Sequence, residues 1–99
     1  MNLKKEFLTK GIYFLILSKV YTKQGCNLTE LCQMVDYTYS HTFNAIKNLK
    51  KAGIINIRKK GRNNSIRITM EGMELSKLCH DLFNHIDSFK IKDSEQKAL

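Results

Sequence analysis

The sequence predicts a mostly α-helical chain with one small β-hairpin, and three observations carry that prediction. Apolar residues recur at helical spacing through four segments. Two short runs near the middle alternate apolar and polar residues with period two, the pattern of half-buried strands. Proline is absent and glycine is only 5 of 99 residues, so flexible linkers are not expected inside the chain. At 99 residues and 42% hydrophobic content it has material for one modest core. A single domain is expected over 1–91, followed by a polar tail at 92–99.

The first helix is expected over 3–23. Leu8, Ile12, Leu15, Ile16 and Val20 follow helical spacing, while Phe7, Tyr13, Phe14, Leu17 and Tyr21 put apolar surface on other faces. That is more than one small core covers, so Phe7 and Phe14 are expected at a subunit interface. Asn27, with Glu30 three residues on, forms a near capping box at the start of a second helix over 28–35. Leu28, Leu31, Cys32 and Val35 make its stripe, and Asp36, Tyr37 and Thr38 end it. Thr38 can cap a third helix over 39–52, which Gly53 stops. Two short helices joined by a three-residue turn make a helix-turn-helix.

Turning about 100° per residue sorts the third helix into faces. Tyr39, Thr42, Ile46 and Leu49 point inward, with Ala45 at the edge. Ser40, His41, Asn44, Lys47, Asn48 and Lys51 point outward, offering hydroxyl, imidazole, amide and amine groups without a carboxylate. Those groups suit base edges and phosphates in a major groove.

A hairpin follows over 54–69, with Ile55, Ile57, Ile66 and Ile68 on one face and Asn56, Arg58 and Arg67 on the other. The connection Lys59-Lys60-Gly61-Arg62-Asn63-Asn64 places three cations at its tip. A charged hairpin beside a helix-turn-helix is a wing. Thr69 then caps a last helix over 71–91, with Glu71 and Glu74 near its positive end. Leu75, Cys79, Leu82, Ile86 and Phe89 are spaced four, three, four and three, an a/d seam expected to meet a second copy, while Leu78 and Phe83 fasten the helix to the body. The full expectation is a winged helix-turn-helix with long N- and C-terminal dimerisation helices.

Charge sharpens the functional reading. Between positions 37 and 70 lie Lys47, Lys50, Lys51, Arg58, Lys59, Lys60, Arg62 and Arg67, and no acidic residue. Taking those eight from the 17 basic residues leaves nine against nine acidic, so the whole net charge of +8 sits in one third of the chain. Charge this concentrated is the footprint of a phosphate-backbone contact.

Other classes are weakened. Three cysteines without a C-x-x-C pair point to a reducing compartment and no disulfide framework. The apolar run over 12–17 is bracketed by Lys10 and Lys19, lacks a cleavage site, and is far short of the ~20 residues that span a bilayer. A soluble cytoplasmic protein with no membrane partner is expected. No G-x-S-x-G, P-loop or H-E-x-x-H sequence occurs, so neither catalysis nor a cofactor is expected.

Three motifs, in order, resemble winged helix-turn-helix transcription regulators of the MarR type, including small archaeal and viral versions. They are the run Thr38-Tyr39-Ser40-His41-Thr42-Phe43-Asn44-Ala45-Ile46-Lys47-Asn48-Leu49, the helix exit Leu49-Lys50-Lys51-Ala52-Gly53-Ile54-Ile55, and the strand exit Ile66-Arg67-Ile68-Thr69-Met70-Glu71-Gly72. The resemblance covers roughly 3–91. It implies a homodimer joined through first and last helices, placing two recognition helices on a near-palindromic operator in double-stranded DNA. By motif position it makes Thr38, Ser40, His41, Asn44 and Lys47 groove-facing, with Asn48 and Lys51 beside them. It puts Arg62 at the wing tip, and the basic block itself adds Lys50, Arg58, Lys59 and Lys60, with Asn63, along the backbone path. The acidic residue that often braces the wing arginine in that family is missing from Gly61-Arg62-Asn63-Asn64, which implies a looser, phosphate-directed wing. The family also implies a small-molecule effector, which no polar constellation here identifies.

Two rivals remain. Winged repressors of the ArsR type sense metals or redox state through cysteines near the motif or His and Asp on the last helix. Cys26, Cys32, His80, Asp81, His85 and Asp87 occupy such places, although His80 and His85, five apart, do not share a helix face. An RNA-binding or protein-interaction module using the basic wing is the other; an RNA reader needs exposed stacking aromatics, and Tyr37 and Phe43 are those nearby.

Overall fold

In place of one helix over 3–23 the chain forms two, α1 (Leu3–Thr9) and α2 (Ile12–Thr22). Lys10 is extended and Gly11 caps the new helix, so the break falls at a Lys-Gly pair that the apolar periodicity runs straight through. The break folds α1 back: the Phe7 ring stacks on Tyr13 at 5.2 Å and meets Phe14 edge-on at 5.3 Å. Much of the apolar excess of this segment is therefore spent inside the protomer.

The computed structural model describes residues 2–89, with only the backbone of Lys60; the expected polar tail at 92–99 lies outside that range, and the last helix ends at Asp87, short of the expected 91. After α2 come α3 (Leu28–Val35), α4 (Tyr39–Lys51), β1 (Ile55–Lys60), β2 (Asn63–Ile68) and α5 (Met70–Asp87). The core gathers Ile16, Leu17 and Val20 of α2 with Leu31, Ile46, Leu49, Ile55 and Ile66. Among the described residues no helix is long and apolar enough to cross a membrane.

The helix starts are where local chemistry places them. The Asn27 side chain accepts from the Glu30 amide and the Glu30 carboxylate accepts from the Asn27 amide, a complete capping box on α3. Asp36 takes a left-handed φ of 57° at the end of α3, and the Thr38 hydroxyl accepts from the His41 amide to open α4. Glu30 also takes a hydrogen bond from Lys23, and that contact, with the Asn27 amide, holds its carboxyl below the usual carboxylate range. A lowered folded-state pKa stabilises the fold above the ordinary carboxylate value, and that stabilisation is lost as pH falls through the lowered one. Urea unfolding of Glu30→Gln across acidic pH should therefore fall less steeply than wild type; identical slopes would deny the residue this role.

The hairpin is tighter than the six-residue connection expected. Lys60 pairs with Asn63 and Lys59 with Asn64, leaving Gly61 and Arg62 as the turn, with Gly61 at φ 59° where a two-residue hairpin favours glycine. The far edge of β2 is covered: Ile66 exchanges backbone bonds with Gly25 and Cys26, and the Ile68 amide donates to the Gln24 side chain at 2.9 Å.

At the far end of the hairpin, Thr69 caps α5 and its hydroxyl donates to the carbonyls of Gly53 and Ile54. A β-carbon on Gly72 would collide with the Ile54 carbonyl, so the glycine of the Thr-x-x-Gly motif is needed for this close approach. Gly72→Ala should cost about 1–3 kcal/mol in urea unfolding. Unchanged stability would mean that α5 shifts freely on the hairpin root.

Gly72, Ser76 and Cys79 form the buried small-residue stripe of α5, whose main packing partner is α2. The expected seam needs correction here. Cys79 is 2% exposed and belongs to the core, whereas Leu78, expected to fasten the helix, is 59% exposed. The open stripe is instead Leu78, Leu82, Ile86 and Phe89, with half-buried Leu75 at its start. Phe83 does face the body, under the Lys19 amine at 4.6 Å.

Candidate nucleic-acid interface

The α4 helix lays Thr42, Ala45, Ile46 and Leu49 on the core. This leaves Ser40, His41, Asn44, Lys47, Lys50 and Lys51 exposed. The hairpin root buries Ile55, Ile66 and Ile68, but beyond Ile57 the ladder extends past the core. Arg58, Lys59, Arg62, Asn63 and Asn64 are exposed there, so both faces of the wing tip stand in solvent. Among the described residues the ion pairs join Glu6 to Lys10, Lys23 to Glu30 and Lys77 to Asp81. None draws on Lys47, Lys50, Lys51, Arg58, Lys59, Arg62 or Arg67, so among the described side chains this charge is not neutralised by an ion pair within the protomer. A helix face and a hairpin tip, both basic and acid-free, thus open to the same solvent.

No protein-family model and no curated protein sequence matches the chain. Solved structures do. F-93 of SSV1 superimposes with a TM-score of 0.74 over 80% of this chain and 92% of its own, at 16% identity. The MarR protein of Peptoclostridium difficile gives 0.72 over 96% of this chain and 65% of that one, at 27% identity. MepR, a transcription regulator of the Staphylococcus aureus multidrug efflux pump MepA, gives 0.69 over 98% and 78%, at 17% identity. The fold is a MarR-like winged helix-turn-helix.

Within this MarR-like fold the expected surface residues are not all equivalent. Asn48 leaves the set: it is half-buried and its amide donates to the Tyr13 hydroxyl at 2.9 Å, tying α4 to α2. Thr38 is exposed, but its hydroxyl is engaged as the α4 cap. Tyr39, expected inward, is 59% exposed, and Phe43 is 38% exposed. Tyr39 has the right angle for burial but sits in the first turn, beyond the elements that cover Ile46. Its ring lies 6.1 Å from that of Phe43, and the Lys47 amine sits 5.3 Å from the Phe43 centroid. Across the helix start, Tyr37 meets His41 edge-on at 5.9 Å. Arg67, absent from the expected set, is exposed on β2 with its guanidinium over Gly25.

The metal-sensing candidates are not brought together. Among the described residues no group of three His, Cys, Asp or Glu side chains is placed to hold an ion. The His80 ring sits between α2 and α5, 5.2 Å from Tyr21, with Nδ1 3.5 Å from the Ser18 hydroxyl. Cys26 and Cys79 are both buried. Burial pushes the Cys26 thiol up and the Cys79 thiol up to about 11, so neither offers thiolate near neutral pH.

Proposed function

We propose that the chain is a sequence-specific double-stranded DNA-binding transcriptional regulator, acting in the cytoplasm as a homodimer on a near-palindromic operator. The observation that carries this reading is the exposed, acid-free face of α4, with Ser40, His41, Asn44, Lys47 and Lys51, set beside a wing tip bearing Lys59 and Arg62. Lys50, Lys51, Arg58, Lys59 and Lys60 supply phosphate attraction independent of sequence. Arg62 and Asn63 carry the wing along the backbone, and the hydroxyl, imidazole and amide groups of α4 discriminate between base pairs. The solved neighbours described as transcription regulators support the same reading.

The homodimer rests on surface that the protomer leaves uncovered. Leu78, Leu82 and Ile86 form an exposed stripe on α5, continued just past its end by exposed Phe89. Beside its start, Leu3, Lys4, Phe7, Leu8, Phe14 and Leu75 line an apolar groove of about 410 Å³. Phe7 and Phe14 thus stack internally and still present an edge to a second copy.

Selection of bound duplexes from a random library tests the proposal. Enrichment of paired, inverted half-sites about one helical turn apart, ~34–36 Å, is expected. Recovery without any sequence enrichment would leave only a nonspecific basic protein.

A further inference from the structure

On the reading that α4 enters a major groove, we propose that Phe43 is a specificity-determining residue that reads the 5-methyl group of a thymine, beside the base pair contacted by Asn44. Phe43 lies on the hairpin-facing flank of α4. One edge of its ring closes a small apolar hollow of about 40 Å³ with Leu28, Ile46, Ile57 and Ile66. The residue is otherwise open: 38% of Phe43 remains exposed, and its position on α4 flanks those of Asn44 and Lys47. Closing the hollow explains why an apolar residue stands there; it does not require the outward ring surface. Two neighbours hold that surface in place, the Tyr39 ring at 6.1 Å and the Lys47 amine at 5.3 Å, the latter a cation–π contact.

The chemistry of the groove selects the partner. Base pairs display donors and acceptors along their major-groove edges, and the one apolar group among them is the thymine methyl. An exposed phenyl ring meeting a donor or acceptor would strip water from it without returning a hydrogen bond. Against a methyl it buries apolar surface on both sides. Asn44, next in sequence, has the side chain that pairs with both the N6 and N7 positions of adenine. The pair of residues therefore favours an A·T-containing step in each half-site.

The test changes the DNA first, so that protein stability does not enter. In a selected duplex, each half-site thymine is replaced in turn by deoxyuridine, which removes the methyl and keeps the pairing. Binding by wild type, Phe43→Ala and Phe43→Leu is then compared. Wild type should lose about four-fold in affinity at one thymine per half-site, the worth of one buried methyl-sized group. Phe43→Ala should be indifferent to the same replacement, and Phe43→Leu, which still fills the hollow, should be intermediate. Selected half-sites without thymine, or deoxyuridine without effect at every position, would overturn the methyl contact while leaving duplex recognition standing. An equal loss in Phe43→Ala would assign the methyl to another residue and overturn it too. Failure of wild type to bind any duplex would remove the DNA reading itself. Tighter binding to single strands would put Tyr39 and Phe43 against base faces and likewise overturn it.

Discussion

Replacing Leu82 with glutamate should leave the protomer folded, convert it to a monomer, and lower operator affinity by at least about 100-fold. Leu82 lies in the exposed α5 stripe with Leu78 and Ile86, which Phe89 continues past the helix end, outside the core that holds α5 to α2. A carboxylate there costs little in an isolated protomer because Leu82 is 44% exposed and water still reaches it. In a two-fold interface each copy would desolvate that charge against apolar side chains. The DNA affinity falls because a dimer binds its second half-site at high effective concentration, an advantage of 10²–10⁴ in typical linked systems and at least about 100-fold here. Sedimentation and duplex binding on the same variant separate the two effects. A variant that sediments as wild type does would show that the stripe joins no second copy.

Asn44→Ala should weaken binding to a selected duplex by about 1–3 kcal/mol, roughly 5- to 150-fold, with little effect on random DNA. Asn44 is exposed on the outward face of α4, and its side chain makes no hydrogen bond to another described residue, so the expected loss is one of base recognition. Asn48, one turn further, has the same side chain in a different position. Its bond to the Tyr13 hydroxyl makes it a tie between helices. An equal fall on selected and random duplexes for Asn44→Ala would show that it contacts the backbone.

What the sequence made legible follows from how far each signal reaches. Caps at Asn27, Thr38 and Thr69 are decided within three residues, and all three act as expected. The paired strands obey a period-two rule that needs only the chain itself and one partner. Failures came where the answer depends on what lies opposite. α1 ends at an extended Lys10 where a fold-back lets Phe7 reach Tyr13, a contact invisible to a periodicity that runs on regardless. Cys79 and Leu78 lie on neighbouring faces of α5, and the smaller side chain took the side that approaches α2 closely. Tyr39 shows the general limit: helical angle gives a direction, while burial also needs a neighbour at that height along the axis. Much of the candidate site was readable because an exposed charged face needs no partner within the protomer. Asn48 was misassigned because its partner, Tyr13, is 35 residues away.

Duplex binding across a salt series is the most direct measurement. Fluorescence anisotropy of a mixed-sequence duplex with the full chain should show log K falling linearly with log salt, by about 0.9 for each phosphate contacted. The double variant Lys59→Ala/Arg62→Ala should flatten that slope by about 2. No binding at low salt, or binding indifferent to salt, would contradict a DNA-binding role for this basic face.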